Sequence, residues 1–314
     1  MTAAESAETT GEVDVDSAGS DSAGWLPWGP WRVALYVTLA LLLVFYLLPI
    51  ETGLVTSIKS GTGLSGLPYF PPGPENFSLS SWANAFDLLR RGLVNSLLFT
   101  IPATILCAIL GSTAAYGLTL VNWRGQIGVL MLFIAGIFIP YQAVIVPLSR
   151  FWSNYLDLES LLSFLWTLPV IEPHWGALLE LLITHVAYGI PIITLLFRTH
   201  YQNISTEMLE AARLDGASVT KIYTRIVLPL SRPMFAVVLI FQFTQIWNEF
   251  LFALTLISSA SSPAAPVTLV LSGIGTAQTG VNFPLRMAAA FIAAIPTILV
   301  YVLFADEFAE GVRA

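Results

Sequence analysis

Apolar residues in this chain gather in long blocks, without the short alternation of half-buried strands or the single stripe of surface helices. Covering roughly 30 Å of hydrocarbon takes about 20 mostly apolar residues. Stretches near 32–50, 95–118, 127–148, 177–196, 234–256 and 285–304 meet that requirement. A further apolar run, 160–171, is about a dozen residues long and contains Pro169, which suits an interfacial or re-entrant piece better than a crossing. The expected fold class is therefore an all-α polytopic membrane protein, with about six transmembrane helices in a bundle. The link VNWRGQ holds the second and third spans as an antiparallel pair. The connection 51–92 carries Pro71 and Pro72 among several glycines, too irregular a backbone to sit in lipid.

Composition supports this reading. Of 314 residues, 56% are hydrophobic and 11% charged, against about 25% charge in soluble domains. Glu5, Glu8, Glu12, Asp14, Asp16 and Asp21 fall in the first 24 positions without a Lys or Arg, leaving 13 basic against 14 acidic groups over 25–314. Residues 1–24 are expected to be a disordered acidic cytoplasmic tail, too poor in apolar residues to offset chain entropy. The tail lacks the positive start of a secretory signal, so the first apolar block is expected to stay in the mature protein. Residues 25–314 form the membrane domain. With no basic cluster, nucleic-acid binding is excluded. Cys107 is the single cysteine and sits in an apolar run, as a buried, inert thiol would. His174, His185 and His200 are spaced too widely for a metal site, and no nucleophile elbow appears, so neither a metal nor a catalytic residue is expected. Glu180, five residues before His185, leaves an ion-coupled role open.

Orientation follows from Lys and Arg in short loops. An inside amino terminus places Arg32, Arg124, Arg198, Arg213, Lys221, Arg225, Arg232 and Arg313 in the cytoplasm, and Lys59, Arg90, Arg91, Arg150 and Arg286 outside. Five of the eight inner cations crowd into 197–233.

That loop is far more patterned than a connection requires. Ser205 or Thr206 can cap a helix, with Glu207 facing the positive end of its dipole. Met208, Ala211 and Ala212 recur at helical spacing, and Gly216 ends the helix in the left-handed conformation that costs glycine little. Val219, Ile222, Tyr223 and Ile226 form a second helical pattern, which Pro229 is expected to stop. The result is a helix–bend–helix element suited to a groove on a partner protein, or to the lipid interface.

The string EAARLDGASVTKIYTRIVLP, through Glu210, Ala211, Ala212, Gly216, Ile226, Leu228 and Pro229, resembles the EAA signature of ABC-importer permeases. WNEFLFALTLIS, NFSLSSWANAF and NSLLFT resemble the carbohydrate-uptake permeases of the maltose type, and the similarity runs from about residue 30 to 310. The resemblance implies that Glu210, Ala211, Ala212, Asp215, Gly216, Ile226, Leu228 and Pro229 dock on an ATP-binding-cassette ATPase pair. It also implies a second permease subunit as a heterodimer partner, an extracytoplasmic solute-binding protein, and residence in the cell membrane with the 205–229 loop in the cytoplasm. The chain contains no G-x-x-x-x-G-K-[ST] loop to cradle nucleotide phosphates, so ATP and Mg are expected on the ATPase, with no cofactor bound here. A transport subunit is expected rather than an enzyme.

Span five carries Gln242, Gln245 and Glu249 at i, i+3 and i+7, with Asn248 beside them. An ionisable group at mid-bilayer costs at least about 2.5 kcal/mol unless it faces protein or water. These residues therefore either line a translocation path or bind helices together, at about 0.6–2 kcal/mol per bond. The stretch 258–283 is expected to be a tight, protruding outer loop in which Gly273, Gly275 and Gly280 would, by the resemblance, reach the solute-binding protein; a plain flexible linker is the alternative. Beside a sugar importer, an importer of a polyol or glycerol phosphate, an ion-coupled secondary transporter and a membrane scaffold stay open.

Overall fold

The computed structural model describes residues 29–168, 172–257, 259–277 and 280–306. The acidic tail at 1–24 lies outside the described residues. The chain divides into two compact units, 1–50 and 51–314. In the first, the described residues form the greater part of α1 (Pro30–Ser57), and the side chains from Trp31 to Ile50 are exposed. A helix that is apolar all round and bare is solvated by lipid tails.

The second unit is almost entirely helical among the described residues. Among the described residues, four helices are long and apolar enough to cross a bilayer, or six if each of two bent pairs makes one span. The second crossing is α2 (Ser80–Thr119), 40 residues long, and it starts well before the expected 95. Its charged opening, with Asp87, Arg90 and Arg91, hides a helical stripe, Ala85 and Leu89, four apart and fully buried.

The third expected span, 127–148, is not one helix. It divides into α3 (Gln126–Ile137) and α4 (Tyr141–Asn154), and the chain bends by 101° between α3 and the segment Tyr141–Leu161. Pro140 sits at the break in extended conformation, where its ring fixes φ and disfavours helix in the residue before it. Within 160–171, α5 (Leu158–Leu161) and a 3₁₀ turn (Leu165–Thr167) form in place of a crossing, and Pro169 lies outside the described residues.

The fourth crossing is α6 (Trp175–Tyr201). It packs on α2 where a Cβ on Gly111 would stand 2.5 Å from Ile193 Cγ2 and 3.2 Å from the Thr194 nitrogen. Glycine is what lets these backbones approach so closely. In the 205–229 loop, α7 (Thr206–Leu214) and α8 (Val219–Ile222) are followed by a π turn (Tyr223–Val227) and α9 (Leu228–Leu230). Pro229 does not stop the helix as expected. The π turn widens the coil just ahead of it, relieving the clash of the ring with the carbonyl four residues back. The stop comes at Ser231, where the segment Val219–Leu230 meets α10 (Arg232–Asn248) at 75°.

The fifth expected span, 234–256, also breaks, into α10 and α11 (Leu251–Leu256). Beyond it, the stretch expected to be a protruding loop contains α12 (Val267–Gly273) and a short antiparallel pair, β1 (Thr276–Ala277) with β2 (Gly280–Val281). This segment is pinned to α2. Asn95 Nδ2 donates to the Pro263 and Ala265 carbonyls at 2.8 and 3.0 Å, and Ser96 Oγ accepts from the Val267 nitrogen at 2.8 Å. The last crossing is α13 (Phe283–Leu303).

Replacing Gly111 by Val should force α2 and α6 apart and cost about 1–3 kcal/mol, as overpacking does. Thermal unfolding of the detergent-solubilised protein measures this; an unchanged transition would show that the crossing tolerates a side chain.

Candidate functional site

Two parts of the second unit bring chemistry-bearing residues together. The first is the element at 205–229. Ser205 takes the cap: its Oγ accepts from the Met208 nitrogen at 3.2 Å and donates to Glu207 Oε2 at 2.7 Å. That second bond holds the Glu207 carboxyl below the usual carboxylate range. Gly216 closes α7 at φ +74 with open space around it, so only backbone conformation demands glycine there. The Ala217 nitrogen reaches back to the Ala212 carbonyl and the Gly216 nitrogen to Arg213, which seals the end of the helix.

The stripe of Met208, Ala211 and Ala212, expected to meet a partner groove or the lipid interface, is only partly covered by the protein itself. Leu209 is the buried residue of α7, Ala212 is half-buried, and Met208 and Ala211 are exposed. Glu210, Asp215 and Leu214 are exposed as well, Leu214 at 89%. Spacing alone marked the helix but not which of its faces has a neighbour. The inward face joins a core with Ile222, Val227, Tyr116, Phe197 and Val238, so the element is rooted in the same packing as α2, α6 and α10. Arg213 Nη2 also donates to the Leu120 carbonyl at 2.6 Å, closing the end of α2. Ile226 and Leu228 are half-buried and Pro229 is exposed.

The second part is a cavity of about 170 Å³ walled by α3, α4, α6 and α10. Gln242 and Gln245 line it, together with Tyr141, His185, Tyr188 and Gly189. Gln242 Nε2 donates to Cys107 Sγ at 3.5 Å. A Cβ on Gly189 would fall onto the Gln242 amide nitrogen and 2.8 Å from Cys107 Sγ, so glycine at 189 makes room for that amide. Tyr141 and Tyr188 lie against each other with rings tilted by 33° and centroids 4.5 Å apart, and the Tyr188 hydroxyl donates to the Ile139 carbonyl at the α3–α4 break.

Neither Asn248 nor Glu249 belongs to this lining. Asn248 donates to the Thr244 carbonyl of its own helix at 2.9 Å. Glu249 leaves the helical face expected of it, because α10 ends at Asn248 and Glu249 is extended, at φ −69 and ψ 135. Its carboxylate turns to the start of α11 and accepts from the Leu251 and Phe252 nitrogens at 2.5 and 3.0 Å. His185 Nε2 lies 3.8 Å from Glu249 Oε2, both side chains being buried, and the imidazole stacks on Phe99. The partner of His185 is therefore Glu249, not Glu180, which accepts from the Leu158 nitrogen. Sequence reasoning missed Tyr141, Tyr188 and Gly189 in the cavity wall, since nothing local to each marks a wall assembled from separate helices.

Of the glycines at 273, 275 and 280, Gly275 alone has positive φ, +72, packed against Arg286 and the Asn282 carbonyl. Gly273 ends α12 and Gly280 opens β2. Among the described residues no group of His, Cys, Asp and Glu is placed to hold a metal ion.

Residues 107–306 match the family described as binding-protein-dependent transport system inner membrane component. Over 284 residues the chain is 52% identical to the xylose/arabinose import permease protein XacI of Haloferax volcanii, covering 90% of this chain and 92% of that protein. It is 38% identical over 286 residues to a probable ABC transporter permease protein of Pyrococcus horikoshii, covering 90% and 95%. Its fold is similar to that of a solved bacterial ABC transporter involved in the import of the acidic polysaccharide alginate. The TM-score is 0.63 at 18% identity, over 88% of this chain and 96% of that one, a likeness of fold alone.

Because the space around Gly216 is open, Gly216→Ala should cost about 1–2 kcal/mol through its left-handed backbone alone. Gly216→Asn, which tolerates that conformation, should cost less. Proteolytic sensitivity of the 205–229 loop reports both, and equal sensitivity of the two variants would point to a steric cause.

Proposed function

Because this chain belongs to the family of binding-protein-dependent transport system inner membrane components, we propose that it is the permease subunit of an ATP-binding-cassette importer that carries a sugar inward by alternating access. The name of the Haloferax volcanii relative supports sugar as the solute class, over a polyol or glycerol phosphate. The family match supports ATP-driven over ion-coupled transport. The observation that carries the docking role is α7 itself: an exposed helix presenting Glu210 among the bare apolar side chains of Met208, Ala211 and Leu214, on an element rooted in the core of the spans. Such a surface suits a cleft on an ATPase, in which the apolar side chains lose water and Glu210 meets a basic group.

In this reading the amino terminus and the 205–229 element lie in the cytoplasm. An ATPase pair binds ATP and Mg, a second permease subunit completes the path, and a solute-binding protein meets the outer segment around Gly273, Gly275 and Gly280. The amides of Gln242 and Gln245 offer hydrogen bonds to sugar hydroxyls, with Tyr141 and Tyr188 as aromatic walls against which a sugar ring can lie. His185 and Glu249 hold the α10–α11 break beside that wall. Motion of the docked element then alters which side the cavity opens to.

Reconstituted with those partners, the chain should accumulate labelled xylose, arabinose or another sugar only when ATP is supplied. Uptake by the chain alone under an ion gradient, without ATP, would overturn the reading. Gln242→Leu should lower uptake at limiting sugar about tenfold, the equivalent of one lost hydrogen bond. Unchanged uptake would remove Gln242 from the path.

A further inference from the structure

Among the contacts that root the 205–229 element in the spans, one buried oxygen joins three elements at once. Ser112 on α2 is fully buried, and its Oγ lies 2.6 Å from the hydroxyl of Tyr201 at the end of α6 and 2.8 Å from that of Tyr223 in the π turn. A turn along α2, Tyr116 donates to the Val219 carbonyl at 2.9 Å and tilts its ring against Tyr223, with centroids 5.1 Å apart. The tight α2–α6 approach at Gly111 brings Ser112 within reach of Tyr201.

A serine hydroxyl has one proton and two lone pairs, so Ser112 can serve both phenols at once. Apolar contacts around it are non-directional and permit sliding, whereas hydrogen bonds fix distance and angle. Three elements, α2, α6 and the π turn, thus share one hydroxyl. The π turn that carries Tyr223 is an uncommon conformation that concentrates at functional sites.

We propose that the Ser112–Tyr201–Tyr223 hydroxyl cluster is the joint through which displacement of the 205–229 element passes to α2 and α6, with Tyr223 a positioning residue for transport. This rests on the reading of that element as the ATPase-docking element. The decisive measurement is sugar delivered per ATP hydrolysed by the complete reconstituted complex. Tyr223→Phe keeps the ring packed on Tyr116 and removes only the hydroxyl. It should leave the complex assembled, with ATP hydrolysis persisting, while the delivered ratio falls about fivefold to tenfold, the scale of one hydrogen bond. Ser112→Ala should produce the same fall, and the double variant should fall no further, because both changes break contacts at one oxygen. A wild-type ratio in Ser112→Ala, or in an assembled Tyr223→Phe complex, overturns the joint, as does a double variant whose losses add. Glu210→Lys separates the two claims. If it leaves the ATPase bound and uptake intact, the docking reading fails. If it releases the ATPase while Tyr223→Phe stays fully coupled, only the joint fails.

Discussion

In the second unit, the seating of the 205–229 element and of the cavity wall on the spans depends on the close packing of α2 against α6 at Gly111. The absent side chain there lets the backbones meet, and dispersion contacts dense enough to hold apolar helices together in lipid follow from that approach. With α2 held, its first half presents Asn95 and Ser96 to the 263–267 segment, and its second half presents Ser112, Tyr116 and the Leu120 carbonyl to the 205–229 element. One helix therefore ties both ends of the spans to the wall of the cavity between them.

Breaks in the spans obey the same solvent. Where lipid cannot bond a freed backbone group, the protein must. Glu249 does so at the start of α11, and the Tyr188 hydroxyl does so for the Ile139 carbonyl beside Pro140. Both breaks adjoin the cavity, so the irregular backbone is confined to places where polar side chains of neighbouring helices can meet it.

The sequence made the class of fold and the 205–229 element legible for different reasons. Long apolar blocks count residues against bilayer thickness, and the EAA string is local, so its caps at Ser205 and Gly216 appear where their chemistry puts them. What stayed hidden was non-local. Hydropathy cannot separate a straight span from α3 and α4 meeting at a bend, and charge at Asp87, Arg90 and Arg91 masked the start of α2. Glu249 kept helical spacing on paper while the backbone turned it elsewhere. Met208 and Leu209 show the limit within one helix, because only the neighbours decide which apolar residue is covered.

The π turn also fixes the length of the chain here. The Leu228 nitrogen bonds to the Tyr223 carbonyl, five residues back, so the coil holds one residue more than an α-turn would. Each residue of an α-helix advances the coil by about 100°. Removing one to restore ordinary winding would swing everything before it round by that angle, carrying Glu210 to another bearing. The number of residues in this stretch is therefore as constrained as the side chains it carries.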